Sequence, residues 1–142
     1  MDLRQNTSPC GIDCFNCELF GDNITREMQE RIAQYKNQPA ETIRCLGCRE
    51  SGCLIIHGEC RTKTCVEEKG VEFCFECDEF PCTYLQPCCD GAETFPQNYK
   101  LFNLCRMKKL GVEKWAAEEA LKIRRLYKDG KLQIGGGPVL PD

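Results

Sequence analysis

The side chains in this sequence most able to do chemistry are its fourteen cysteines. Eleven of them fall in a pattern. Cys10, Cys14 and Cys17 stand together in CGIDCFNC. The stretch from Cys45 to Cys82 carries eight more in thirty-eight residues: Cys45, Cys48, Cys53, Cys60, Cys65, Cys74, Cys77 and Cys82. Cys45/Cys48 and Cys74/Cys77 are CxxC pairs. A CxxC sets two thiolates on one tight turn, where both can reach the same ion and backbone amides can bond to the sulfurs. Zinc takes four such ligands in a tetrahedron at about 2.3 Å. One CxxC alone fits redox chemistry equally well. Two of them beside a CxxxCxxC point to bound metal, so these eleven thiols are the candidate ligands, and no catalytic residue is assigned.

Spacing leaves the grouping open. Cys45, Cys48, Cys53 and Cys60 are consecutive and could close one site. Cys74, Cys77 and Cys82 need a fourth ligand, for which Cys65 is the nearest spare. Cys10, Cys14 and Cys17 then need Cys88, Cys89 or Cys105, or keep an open position for water or substrate. Interleaved sites, in which the N-terminal triad shares ligands with the later pairs, are as physical. Zinc and iron–sulfur clusters both select thiolate. The expected cofactor is zinc, two or three ions in closed four-cysteine sites, because that is the commoner structural use of paired CxxC turns. An iron–sulfur cluster serving electron transfer, cluster delivery or redox sensing is the alternative. The CxxxCxxC spacing also resembles the cluster motif of radical S-adenosylmethionine enzymes. The chain lacks the alternating strands and helices of their barrel.

Other polar residues read more plainly. His57, the only histidine, sits between two candidate ligands and reads as a loop residue bonded to backbone. Asp78 and Glu79 read as a solvated turn, and Phe73 and Phe75 as an apolar cover over Cys74. Adjacent Cys88 and Cys89, or one CxxC, could serve thiol exchange, the weakest of the three readings.

The elements that must position the thiols follow from periodicity. Residues 1–9 read as polar and loose. Asp22 or Asn23 caps a helix to about Asn37 with Ile24, Met28, Ile32 and Tyr35 on one stripe, ended by Pro39. Residues 45–90 show no sustained period; Leu54–Ile56 suggests a short strand and Val66–Gly70 one helical turn. A helix capped at Thr94, with Pro96 in its first turn, runs to Leu110 before Gly111. A second, from Val112 to about Lys128, carries Val112, Trp115, Ala116, Ala120, Ile123 and Tyr127 on one face. The tail KLQIGGGPVLPD reads as flexible or as a docking strand. The expected class is a small metal-rich α+β/irregular domain of cysteine knuckles, with an N-terminal helix and two C-terminal helices. Residues 1–90 form the cysteine-rich part and 91–142 a helical appendage packed with it.

Composition bounds the function. The chain has 142 residues, 42% of them apolar only if cysteine is counted. That leaves a thin core where a chain this size buries roughly two thirds of its unfolded surface, so cross-linking by ions is expected to supply part of the stability. The start, MDLRQNTSPC, has no run suited to a signal peptide, and no segment approaches the roughly 18 apolar residues of a membrane span. The expected compartment is the cytoplasm, where clustered thiols bind metal more often than they form disulfides. Net charge is −3 with cysteine neutral, and each four-thiolate zinc site adds about −2. A nucleic-acid surface needs a basic stripe. Here basic residues are dense only locally, at Arg106, Lys108 and Lys109, then Lys122, Arg124 and Arg125. A protein partner is the expectation, with no membrane and no nucleic acid.

Taken together, CGIDCFNC, CLGCRE, CRTKTC and EKGVEFCFECDEFPC resemble the cysteine-rich domain-of-unknown-function 3795 family of bacteria and archaea, over about Cys10 to Leu85. MKKLGVEKWAAEEA resembles the helix that follows in many members. The resemblance implies a small cytoplasmic metal-binding domain, with Cys10, Cys14, Cys17, Cys45, Cys48, Cys60, Cys65, Cys74, Cys77 and Cys82 on the family's pattern. It implies no established activity. Cys53 rests on spacing alone, and Cys88, Cys89 and Cys105 lie outside the pattern. The end of the chain departs from relatives that carry a further cysteine pair there.

Overall fold

The computed structural model describes residues 1–54, 59–85 and 98–129. His57, Cys88, Cys89, the Thr94 cap, Pro96, the Gly-rich tail and most of the suggested Leu54–Ile56 strand lie outside these residues. Among them the fold is mostly helical: α1 is Arg26–Lys36, α2 Arg61–Lys69, α3 Tyr99–Leu110, α4 Val112–Glu118 and α5 Ala120–Asp129. The β part of the expected α+β class reduces, among the described residues, to a single parallel bridge between Phe20 and Cys45. The cysteine-bearing segments turn too often to pair as strands. Cys14–Asn16 and Cys74–Glu76 are each one 3₁₀ turn, and Thr83–Leu85 is another. No helix among the described residues is long and apolar enough to cross a membrane.

The helices depart from the periodic reading where a polar contact competes. Thr25, not Asp22 or Asn23, caps α1, its hydroxyl accepting from the Met28 N–H at 3.3 Å. Asp22 and Asn23 are used in a preceding 3₁₀ turn. Asn37 ends the helix in the left-handed conformation, φ 52°, before Pro39 is reached. Only Ala33 of α1 is buried and Tyr35 is 64% exposed, so the expected stripe is only half covered. Helix α2 starts directly after Cys60 and is longer than the single turn expected, with Gly70 at φ 64° closing it. Its one buried residue, Val66, leaves no period to read. The long C-terminal helix is broken at Glu119, whose carboxylate pairs with Arg106 of α3. The apolar face continues across the break: Val112, Trp115, Ala116, Ala120 and Ile123 are all buried.

These helices gather a larger core than composition suggests. Helix α3 packs on α4, on α5 and on the Cys74–Glu76 turn. Leu104, Met107, Trp115 and Ile123 join Val66, Phe73 and Leu85 from the middle of the chain in one cluster. Phe73 is fully buried, stacked on Phe75 at 5.5 Å. The N-terminal residues expected to be loose are fixed there too. The guanidiniums of Arg4 and Arg49 lie over the Phe73 ring at 5.2 and 4.7 Å from its centroid. Arg4 pairs with Glu72 at 2.6 Å and Glu113 at 3.0 Å, and Arg49 donates to the Thr7 carbonyl at 3.0 Å. Thr7, Ser8 and Pro9 are buried as a result.

A buried polar lock ties the first cysteine loop to the C-terminal helices. Asp13 has no exposed surface. It accepts from the Tyr99 hydroxyl at 2.6 Å, from Arg124 at 2.8 Å and from Asn16 at 3.0 Å. Arg124 reaches on to Glu18 at 2.9 Å, and Lys128 pairs with Glu18 as well. Burial alone would raise the Glu18 carboxyl; the Lys128 hydrogen bond and the Arg124 charge hold it down at about 2. One turn away, Asn103 donates to the Gly11 carbonyl at 2.7 Å. Gly11 has φ +90°, and a Cβ there would stand 2.7 Å from the Lys100 carbonyl oxygen and 2.9 Å from the Leu104 side chain. Breaking a buried pair by removing one partner costs about 3–5 kcal/mol. Asp13→Ala is therefore expected to lower the stability of the reduced, metal-free protein by about that amount, measured from the denaturant midpoint. Tyr99→Phe should cost about 1–3 kcal/mol. Gly11→Ala is expected to destabilise through both backbone strain and the close approach of α3. A loss below about 1 kcal/mol for Asp13→Ala would show that the lock is not what holds the loop.

Candidate metal centre

Twelve cysteines lie in the described residues, and none is joined in a disulfide. Their positions follow from short turns. In each of the sequences CFNC and CFEC a 3₁₀ turn places the second cysteine over the first: the Cys17 N–H reaches the Cys14 carbonyl at 2.9 Å, and the Cys77 N–H the Cys74 carbonyl at 3.3 Å. The Glu79 N–H then donates to the Cys77 sulfur at 3.4 Å, the amide-to-sulfur bond expected of a cysteine knuckle. Phe80–Pro81 is a cis bond on the way to Cys82. Gly47, at φ +99° in the Cys45/Cys48 turn, packs close to Asn6 and Phe20. The Gly21 N–H donates to the Cys45 carbonyl at 2.8 Å. That bond, with the Phe20–Cys45 bridge, lays the second CxxC against the first cysteine loop.

Two groups of sulfurs result. On one side, Cys14 lies within electrostatic reach of Cys48, Cys10 and Cys45, and the Cys48 N–H is directed at its sulfur. Cys48 also feels Cys10, Cys60 and Cys53. On the other side, Cys74 feels Cys10, Cys82, Cys65 and Cys77. The second group lines a groove of about 470 Å³, where Cys65, Cys74, Cys77 and Cys82 share the wall with Val66, Phe80 and others. Arg61 lies over the Tyr84 ring at 4.6 Å, and both line that groove. Cys45 and Cys74 are buried, Cys53 is exposed, and Cys10, Cys14, Cys17, Cys48, Cys60, Cys65, Cys77 and Cys82 are intermediate. Cys105 is exposed on α3. Among the described residues, no three Cys, His, Asp or Glu side chains are closed around a point that could hold an ion. The thiols are grouped, and short of the about 2.3 Å shell of a zinc site.

Burial governs the chemistry of these sulfurs. It is the first cause pushing the Cys14, Cys48 and Cys74 thiols up to about 12, and neighbouring sulfurs add to it. The Cys48 N–H opposes the rise at Cys14, and Lys63 opposes it at Cys48. Thiolate is the form that binds metal and the form that attacks. A cation that replaces protons within either group would relieve the same cost, and the donors present suit a soft, thiophilic one. Sequence reasoning missed Ser8, whose buried hydroxyl lies 3.3 Å from the Cys10 sulfur. It also missed Asp13, which orients the loop. A serine two residues before a cysteine, and an acid between two cysteines, were the available signals. In the metal-free protein under brief iodoacetamide pulses, Cys14, Cys48 and Cys74 are expected to alkylate last, and their rates to keep rising with pH up to about 12. Peptide mass mapping reads the order. Early labelling of these three at pH 8 would show that their thiols are not raised.

Comparison with known proteins gives one result. No curated protein and no solved structure matches the chain. The family model described as a protein of unknown function, DUF3795, matches residues 6–87, which takes in both sulfur groups and the lock residue Asp13. That match spans more than half of the chain, and the chain belongs to the DUF3795 family.

Proposed function

We propose that this protein is a thiolate metal-binding module that holds zinc, two or three ions, and works through contacts with another protein and not through catalysis. The observation that carries the reading is that Cys65 of α2 lines the same groove as Cys74, Cys77 and Cys82. That arrangement sets one helix thiol against three soft donors from a later stretch of turns. It suits an ion that needs them together. The amide bonded to the Cys77 sulfur supports the same reading, since such bonds lower the charge on a ligating thiolate. Metal would then staple the turns that the apolar core does not reach. Tyr84 and Arg61 at the groove are residue types enriched where proteins meet.

An all-sulfur donor set also suits an iron–sulfur cluster, which makes that the second reading. One preparation separates them. The protein is purified anaerobically and measured for elemental content and visible absorption. A colourless protein with two or three zinc ions per chain is expected. A brown protein that bleaches in air would establish the cluster instead. Less than about half an equivalent of any transition metal, in protein that reconstitution with zinc does not load, would end both readings.

A further inference from the structure

We propose that Arg49 is a coupling residue: it makes residues 45–53 and the turn that begins at Cys74 open and close as one unit, so that order gained in either is passed to the other. This goes beyond the metal-binding reading and stands without it, because none of the contacts involved uses a cysteine sulfur. Arg49 directly follows Cys48, and its side chain is 17% exposed. The guanidinium touches two other stretches of chain at once. Its Nε donates to the Thr7 carbonyl at 3.0 Å, three residues before Cys10. Its Nη2 donates to the Glu72 carbonyl at 3.1 Å, two residues before Cys74. Its Cζ stands 4.7 Å from the centre of the Phe73 ring, directly before Cys74.

Among the described residues no backbone N–H reaches the Thr7 or the Glu72 carbonyl, so Arg49 is the donor that answers both. An acceptor stripped of its donor inside the fold bears its full desolvation cost. The Cys74 N–H donates to the Pro9 carbonyl at 3.0 Å, which ties the stretch 7–9 to the Cys74 turn on one side while Arg49 ties it on the other. Glu72 pairs with Arg4 at 2.6 Å and stands 3.8 Å from Arg49, so one carboxylate offsets both guanidiniums over the Phe73 ring. At its start, the segment 45–53 is held by the Gly21 N–H on the Cys45 carbonyl; at its end, Cys53 is exposed. Lifting the segment withdraws Arg49, which wets one face of an otherwise fully buried Phe73 and bares two carbonyls next to the other cysteine stretches. Opening of one is therefore opening of both, and the coupling is reciprocal. Lysine would keep the charge and lose the planar fork that reaches two carbonyls while it stacks on a ring.

Amide hydrogen exchange tests the coupling in the reduced, metal-free, full-length chain, followed residue by residue by NMR. The Gly21 N–H reports docking of residues 45–53, and the Cys74 N–H reports the second turn. The Ile123 N–H, bonded to the Glu119 carbonyl at 2.9 Å, reports the C-terminal helices. In the unmodified chain the Gly21 and Cys74 amides are expected to open with the same dependence on denaturant. Arg49→Met is expected to speed exchange at both by about tenfold or more and to leave Ile123 unchanged. Arg49→Lys is expected to behave as Arg49→Met does. Acceleration at only one of the two amides would make Arg49 a local pin and overturn the coupling. Equal acceleration at Ile123, a global loss, would overturn it, as would no acceleration or unmodified rates in Arg49→Lys. Should Arg49→Met fail to fold, the unmodified chain decides alone: different denaturant dependences at Gly21 and Cys74 overturn the proposal. None of these outcomes bears on whether the thiols bind metal.

Discussion

A carboxylate taken wholly out of water has to be answered by hydrogen bonds and opposite charge, or it is not tolerated. Asp13 is such a group, and its answers come from far along the chain: Tyr99 on α3 and Arg124 on α5. Burial works against the charge on Arg124 in turn, and Asp13 and Glu18 hold it charged. The geometry of the loop from Cys10 to Cys17 is thus set by helices that carry none of the eleven patterned cysteines. Closing so long a loop costs little more than closing a short one, because the entropy grows only with the logarithm of length. The C-terminal helices hold the loop in place while their other contacts build the core. The basic residues that composition counts as a patch are partly spent in this way. Arg124 lies on Asp13, Arg106 on Glu119 and Lys128 on Glu18.

A second constraint works against the first. The same burial that makes the lock strong raises the Cys14, Cys48 and Cys74 thiols. Low dielectric strengthens repulsion between neighbouring thiolates as much as it strengthens the attraction of a thiolate for a cation. A site of this kind discriminates sharply between no charge and the right charge. Each proton neutralises one sulfur and is held tightly there; a divalent ion answers several sulfurs at once but must displace their protons. Metal affinity in such a site depends steeply on pH.

The legible parts of the sequence are those with one dominant signal. The face Val112, Trp115, Ala116, Ala120 and Ile123 is readable because burial has a period of 3.6 and nothing interrupts it. The cysteine pattern is readable as a family signature because it combines two CxxC pairs with a CxxxCxxC, where one CxxC alone has several uses. Boundaries are lost wherever a single polar bond decides them, as at Thr25 and Glu119. The N-terminus reads as loose because its fixing groups, Glu72, Phe73 and Glu113, lie far away in sequence. Asp13 is legible as an acid and illegible as a lock for the same reason. The strand expectation rests on three apolar residues, too few to tell a strand from a turn.

The core also changes what an ion has to do. Composition suggests a thin core that leaves part of the stability to captured metal, yet Val66, Phe73 and Leu85 already pack in one cluster with residues of α3 and α4. Phe73 sits directly before Cys74, and Val66 directly after Cys65, so each core residue delivers a thiol to the groove beside it. Arg4 and Arg49 cover the same phenyl ring from the outside. The second arm is therefore positioned by apolar burial, and the first by the Asp13 lock. The Cys45–Cys53 segment is held more lightly. Cys45 is tied by one bridge to Phe20, Arg49 by its bonds to the Thr7 and Glu72 carbonyls, and Cys53 is exposed. That segment is where an ion would contribute most to stability, because little apolar burial competes to hold it. The scaffold is thus firmest at the second arm and at the Asp13 lock, and lightest between them in sequence, where exposed Cys53 lies.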